Sequence, residues 1–300
     1  MTTLSLADLV ALRGAAHGLT LRGRRRARAT LLGEHSSAQR GRGLEFQEVR
    51  PYAAGDDPRS IDWRVTARRG RPHTKLYREE RERPVWLLVD LQPGTFFGSR
   101  RQLKSTLIVR TAALLAWVAT LGGDRIGAVI AGAAGGVRVL PARGRLEGVL
   151  PLLEAVLEAQ PMAPGKPAPQ LLGEAVRALG AVVRPGSQVL AISDFSGTGG
   201  PEEDHWIPIA RHNDVQLYWI TDPLESNGLP PGRFRVGLPG RLLVLDGRRA
   251  RSAWLAAWQA RARHVTELSQ RLAAPVVRLD TAQSVEAALR PVLSRGRPAA

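Results

Sequence analysis

From residue 85 onward the chain alternates short apolar runs with longer segments of helical period. Val85-Trp-Leu-Leu-Val-Asp90 is an unbroken apolar run ending in a carboxylate, the pattern of a strand buried on both faces of a parallel sheet. Residues 102–121 predict a long, mostly apolar helix stopped by Gly122-Gly123. Residues 125–132 and 137–140 predict two strands joined by a turn at Ala-Ala-Gly-Gly, and residues 146–159 a helix with Leu146, Val149, Leu150, Leu153 and Leu157 at helical spacing. A loop rich in Pro, Gly and Ala (160–169) precedes a further helix at 169–183. Two more apolar strands, 187–194 and 215–222, again end in aspartate. A hairpin (234–236 with 242–245), a helix (249–272), a strand (275–279) and a final helix (284–293) complete the series. Such alternation predicts an α/β fold: an open, doubly wound, mostly parallel sheet with helices on both faces. Asp90, Asp194 and Asp222 then fall at the carboxyl edge of that sheet, where ligands bind in such folds.

Residues 1–84 follow a different grammar. A short helix at 6–13 precedes a basic stretch (19–32) and a polar, glycine-bearing loop (36–43). Asp57-Pro58 has the form of a helix start, with Ile61 and Val65 sharing one face of that helix. Residues 73–78 predict a strand feeding toward the one at 85. This segment has too few apolar residues for a core of its own, so the expected division is a satellite, 1–84, packed on an α/β domain, 85–300.

Composition narrows the chemistry. The chain has 300 residues and no cysteine, which excludes disulfides, thiolate nucleophiles and cysteine-ligated metals. The start lacks a basic region followed by an apolar one, and the apolar stretch at 111–123 is too short to span a bilayer; a cytoplasmic protein without a membrane span is the expectation. The net charge is +16, and only three of the 43 basic residues, Lys75, Lys104 and Lys166, are lysines. Residues 1–84 hold 18 basic against 10 acidic residues, densest at Arg22, Arg24, Arg25, Arg26 and Arg28. Binding of nucleic acid or another anionic surface through these arginines is therefore an alternative function. With aromatics at 5%, no base-stacking platform stands out.

One segment carries a resemblance. The order Arg50-x-Tyr52-x-x-Gly55-Asp56-x-x-Arg59-x-Ile61-Asp62-Trp63, then Ala67-Arg68, Asp90 and Phe97-Gly98, resembles the bacterial "domain of unknown function 58" family. The resemblance implies a von Willebrand factor A-like domain behind the signature. It also implies a partner, a MoxR-type AAA+ ATPase, with an adaptor, chaperone or metal-insertion role. Many members carry two membrane helices ahead of the signature, and this chain resembles a soluble subtype. Within the signature, Gly55 would serve a turn, Asp56 and Asp62 would pair with Arg50, Arg59 or Arg68, and Trp63 would be buried against the α/β domain; the alternative is that these residues form a recognition surface for a partner.

The resemblance also raises a metal-ion-dependent adhesion site, Asp-x-Ser-x-Ser with a threonine and a second aspartate, whose hard oxygens suit Mg²⁺. Here the first element reads Asp90-Leu-Gln92-Pro-Gly94, so both serine positions are lost, and no threonine occurs between Thr120 and Thr198. The expectation is a degenerate site that needs no cofactor, with at most residual Mg²⁺. Asp90, Gln92, Gly94, Thr95, Asp194, Ser196 and Thr198 would then form a protein-interaction surface. No phosphate loop, dinucleotide fingerprint, Gly-x-Ser-x-Gly or paired zinc histidines are present, so no enzyme is expected. Trp254 and Trp258, four apart, suit core packing.

Overall fold

The structure is a computed structural model describing residues 4–21, 44–53, 58, 61–79, 84–132, 136–165, 168, 170–196, 204–238 and 241–295. The arginines 22–28, the loop 36–43, Gly55, Asp56, Asp57, Arg59 and Thr198 lie outside these residues. Contacts divide the chain into two units, Met1–Gly23 with Arg83–Ala300, and Arg24–Glu82.

The first unit is built on a six-stranded sheet. Its strands are β4 (Pro84–Leu91), β5 (Arg125–Gly132), β6 (Gly136–Arg143), β7 (Gln188–Ser193), β8 (Asp214–Thr221) and β11 (Val276–Asp280). They run in the order β11-β8-β7-β4-β5-β6. All neighbours are parallel except β5 and β6, which form the antiparallel edge. The order reverses direction between β4 and β7, making their carboxyl ends the switch point of the sheet.

Alternation along β4 explains why the sheet is covered twice. Val85, Leu87, Val89 and Leu91 enter one apolar cluster, while Trp86 and Leu88 enter the other. The first cluster is closed by α1 (Leu6–Ala16), α3 (Lys104–Leu121), α4 (Arg145–Ala159) and α9 (Val285–Leu289). The second is closed by α5 (Gln170–Val182), α6 (Trp206–His212) and α8 (Gly247–Leu272). α3 is the one helix among the described residues long and apolar enough to cross a membrane, but 78% of it is buried inside the protein. The apolar run seen in the sequence at 111–123 is thus the second half of a core helix.

α1 packs with the α/β unit. Ser5 caps it in a reciprocal box with Asp8, and its Leu9 and Ala16 are wholly buried in the first cluster. The Trp117 indole of α3 donates to the Leu9 carbonyl at 3.0 Å. A short strand, β1 (Leu19–Thr20), then pairs antiparallel with β12 (Ser294–Arg295). The N-terminal residues therefore belong with the α/β unit rather than with the signature.

In the second unit, β2 (Leu44–Pro51) pairs antiparallel with β3 (His73–Glu79), with a bulge between Phe46 and Glu48. β3 therefore forms a ribbon with β2. The helix of this unit, α2 (Trp63–Arg69), begins later than Asp57-Pro58 suggests. Its cap is Asp62, whose carboxylate accepts from the Arg64 and Val65 amides at 3.0 and 3.2 Å, and Gly70 ends it in the left-handed region. Trp63 is 70% exposed, contrary to its expected role as a buried anchor. Its helix turns Val65 and Thr66 inward instead.

The remaining hairpin, β9 (Arg233–Leu238) with β10 (Arg241–Asp246), lies where the sequence places it. α6 and the one-turn α7 (Pro223–Asn227) were not foreseen. On α8, Trp258 stacks on Trp219 at 4.9 Å, and the Trp254 indole donates to the Leu224 carbonyl at 2.9 Å, so both tryptophans pack within the unit.

Candidate functional site

β4 and β7 each deliver an aspartate to the switch point. Asp90 and Asp194 are 0% and 1% exposed, so the two carboxylates share one rim but lie beneath the surface. Gln92 and Thr95 are likewise wholly buried, while Gly94 and Ser196 are half-buried. This corrects the expectation of an open interaction surface on these side chains. Their polar atoms are engaged with one another, which is what burial of polar groups requires.

The engagement is specific. Asp90 accepts from the Ser193 hydroxyl at 2.6 Å, and from the Gln92 amide N–H and side-chain Nε2, each at 3.2 Å. Gln92 Nε2 also donates to the Ser196 carbonyl at 3.3 Å, and Gln92 Oε1 accepts from the Ala168 amide at 3.1 Å. The Thr95 hydroxyl donates to the Gln92 carbonyl at 2.8 Å. Gln92 thereby ties β4 to the segment after β7 and to the residues before α5.

Asp194 meets a cation from within the chain. The Lys104 ammonium lies 2.5 Å from Asp194 Oδ2 and 3.1 Å from Glu225 Oε1, and Lys104 is itself 2% exposed. Arg261 of α8 reaches the same Glu225 oxygen at 2.9 Å. Asp194, Lys104, Glu225 and Arg261 thus form a chain of alternating charges that sums to zero. The Ser196 amide donates to Asp194 Oδ1 at 2.9 Å, and the Trp219 indole to the Asp194 carbonyl at 3.2 Å.

The loop before α3 positions the lysine. Its amide donates to the Phe97 carbonyl at 2.7 Å, and its ammonium lies 5.5 Å from the Phe97 ring centroid, within the range of a cation–π attraction. Gly98 lets this loop close. A Cβ there would collide with the Gln102 carbonyl oxygen and stand 2.9 Å from the Leu103 Cα. The third strand-end acid, Asp222, is also absorbed. It accepts from the Ser99 amide at 2.7 Å, the Ser99 hydroxyl at 2.5 Å and the Thr281 hydroxyl at 2.6 Å, and it caps α7.

These partners set the ionisation of the site. Burial, then the neighbouring Asp194 charge, pushes Asp90 up to about 6. Burial alone would also raise Asp194, but the Lys104 charge and hydrogen bond and the Ser196 amide outweigh it and hold the carboxyl below its ordinary range. For Lys104, burial is overcome by Asp194 and Glu225, which raise it and keep it charged.

A hard divalent ion does not fit this donor set. It would need free oxygens in octahedral or higher array. Here Asp194 faces an ammonium, Asp90 faces amide and hydroxyl donors, and the Gln92 and Thr95 oxygens are committed elsewhere. Among the described residues no group of three or more His, Asp or Glu side chains could hold a metal.

In the signature segment, the Arg50 guanidinium donates to the Pro51 carbonyl at 3.1 Å, and the Tyr52 amide to the Pro72 carbonyl at 2.9 Å. Asp62 is a helix cap, and Arg68, in the last turn of α2, is exposed. Sequence reasoning found Asp90, Gln92 and Asp194 but missed Lys104, Glu225, Arg261 and Ser193. One signal was present: Lys104 is one of only three lysines in a chain that otherwise uses arginine.

The strand order is that of a von Willebrand factor A-like α/β fold, with its strand-end aspartates closed off by the chain's own side chains. The family described as "Protein of unknown function DUF58" matches residues 48–263, and the chain belongs to that family. Its relatives include the uncharacterized proteins Rv1480 of Mycobacterium tuberculosis and Mb1516 of Mycobacterium bovis. Each is 35% identical over 202 residues, covering 65% of this chain and 60% of the relative, so the chain spans about 60% of the length of these relatives. Similar solved structures include BatB from Bacteroides thetaiotaomicron, at 16% identity and a TM-score of 0.41 over 70% of this chain and 95% of that one. A von Willebrand factor type A protein from Catenulispora acidiphila is similar at 10% identity and a TM-score of 0.41, over 73% of this chain and 42% of that one.

Proposed function

We propose that this protein is a non-enzymatic interaction module, a cytoplasmic partner or adaptor of a MoxR-type AAA+ ATPase that works without an obligatory metal. One observation carries the reading. At the switch point, where open α/β sheets do their chemistry, the acids are neutralised by Lys104 and Arg261 or saturated by Ser193 and Gln92. A buried carboxylate held by a buried ammonium is a poor general base and a poor ligand, whereas a rigid, internally satisfied rim suits protein recognition. The ATPase as partner comes from the family resemblance. It is consistent with binding through backbone and half-buried groups around Gly94 and Ser196.

The test is retention of the purified MoxR-type ATPase on this immobilised protein at moderate salt, with ATP, with ADP and without nucleotide. Retention in at least one nucleotide state is expected. Its absence in all three sinks the reading. Retention on DNA that falls steeply with salt would instead favour the anionic-surface alternative.

A further inference from the structure

Part of the misfit between this site and a divalent ion, the part at Asp194, lies in one side chain. We propose that Lys104 is the built-in cation of the switch-point site: its ammonium occupies the position between Asp194 and Glu225 and keeps divalent ions out.

Three observations converge. The ammonium sits 2.5 and 3.1 Å from oxygens of two carboxylates, one just after β7 and one on α7, the separations of charge-assisted hydrogen bonds, so it fills the space between them that any other cation would need. Lys104 also opens α3, whose first turn carries no acidic residue and whose cap, Leu103, offers no side-chain bond. A cation there opposes the helix dipole, so the carboxylates across the crevice, not the helix, account for its place. Finally, the charge balance closes only with it: Glu225 already has Arg261, and among the described residues Lys104 is the one cation in direct contact with Asp194, Arg261 acting on it from farther away. A compact ammonium on a flexible stem can enter such a site, whereas a planar guanidinium is too broad for the same approach. This accounts for a lysine at this point in an arginine-rich chain.

The inference is independent of the ATPase reading, because it concerns an ion and not a partner. Mn²⁺ serves as the probe, read by loss of its free-ion electron paramagnetic resonance signal and by thermal melting against a NaCl control of equal ionic strength. The wild-type protein is expected to leave the signal and the melting temperature unchanged. Lys104→Ala is expected to melt about 10 °C lower, since it strands the buried Asp194 carboxylate. About 10 mM Mn²⁺ should then restore about 5 °C of that loss, which NaCl should not. Lys104→Ala/Asp194→Asn, which removes the stranded charge, should melt above Lys104→Ala and ignore Mn²⁺. One equivalent of tightly bound Mn²⁺ on the wild type would overturn the proposal. So would a Lys104→Ala chain that Mn²⁺ leaves unchanged, whether that chain is folded or unfolded.

Discussion

Asp90 is the side chain through which pH reaches the core. Its ordinary value of 3.8 in the unfolded chain rises to about 6 in the folded one, so the native state holds this proton more tightly. The resulting stability is full below about pH 4 and lost as pH climbs through 6, a change of about 3 kcal/mol. The difference in unfolding free energy between wild type and Asp90→Asn should therefore shift between about pH 4 and pH 6 and level off above. A difference that stays flat across that window contradicts the assignment. Tyr218 makes a second case. Its hydroxyl is buried with no hydrogen-bond partner among the described residues, so Tyr218→Phe should hold or raise stability, by up to about 1 kcal/mol in urea denaturation. At this scale the sequence showed the acids but not their cation. An aspartate ending an apolar run is a local pattern, whereas Lys104 meets Asp194 across 90 positions and Glu225 across 121, and no local pattern records such a meeting.

Helices and strands were legible in proportion to their length and periodicity. α3, α4, α5 and α8 were all visible from apolar spacing, and the parallel strands from runs apolar on both faces. α6 escaped because it has seven residues and contains Pro208, and β1 because two residues carry no period. The start of α2 was misplaced because Asp57-Pro58 and Asp62 both have capping chemistry, and sequence alone does not rank them. As a cap, Asp62 should contribute modestly. Asp62→Ala is expected to cost about 1 kcal/mol, measured by chemical denaturation, and a loss several times larger would mean that it does more than cap. α1 should matter more than a terminal helix ordinarily does. Leu9→Ala empties a fully buried position against α3 and should destabilise the α/β unit by about 2–5 kcal/mol. An unchanged melting temperature would show that α1 is not docked in solution.

Over the whole molecule, the α/β class and the shared rim of Asp90 and Asp194 could be read in advance, but the discontinuity of the α/β unit could not, because no local pattern ties α1 to α3. Residues 1–23 and 83–300 complete it from both sides of the signature segment. The central strands β4 and β7, buried along nearly all their length, should be the slowest to exchange their amide hydrogens, and β1 and β12 among the fastest. The pairing of Leu19 with Arg295 and of Thr20 with Ser294 also bears on synthesis. At ribosomal speeds of about 5–20 residues per second, roughly a quarter of a minute to a minute separates the making of one strand from that of its mate. Throughout that interval the emerging polypeptide carries β1 without its partner, and α1 waits for α3 before it can bury Leu9. The α/β unit is thus completed only after translation of the strand that pairs with β1.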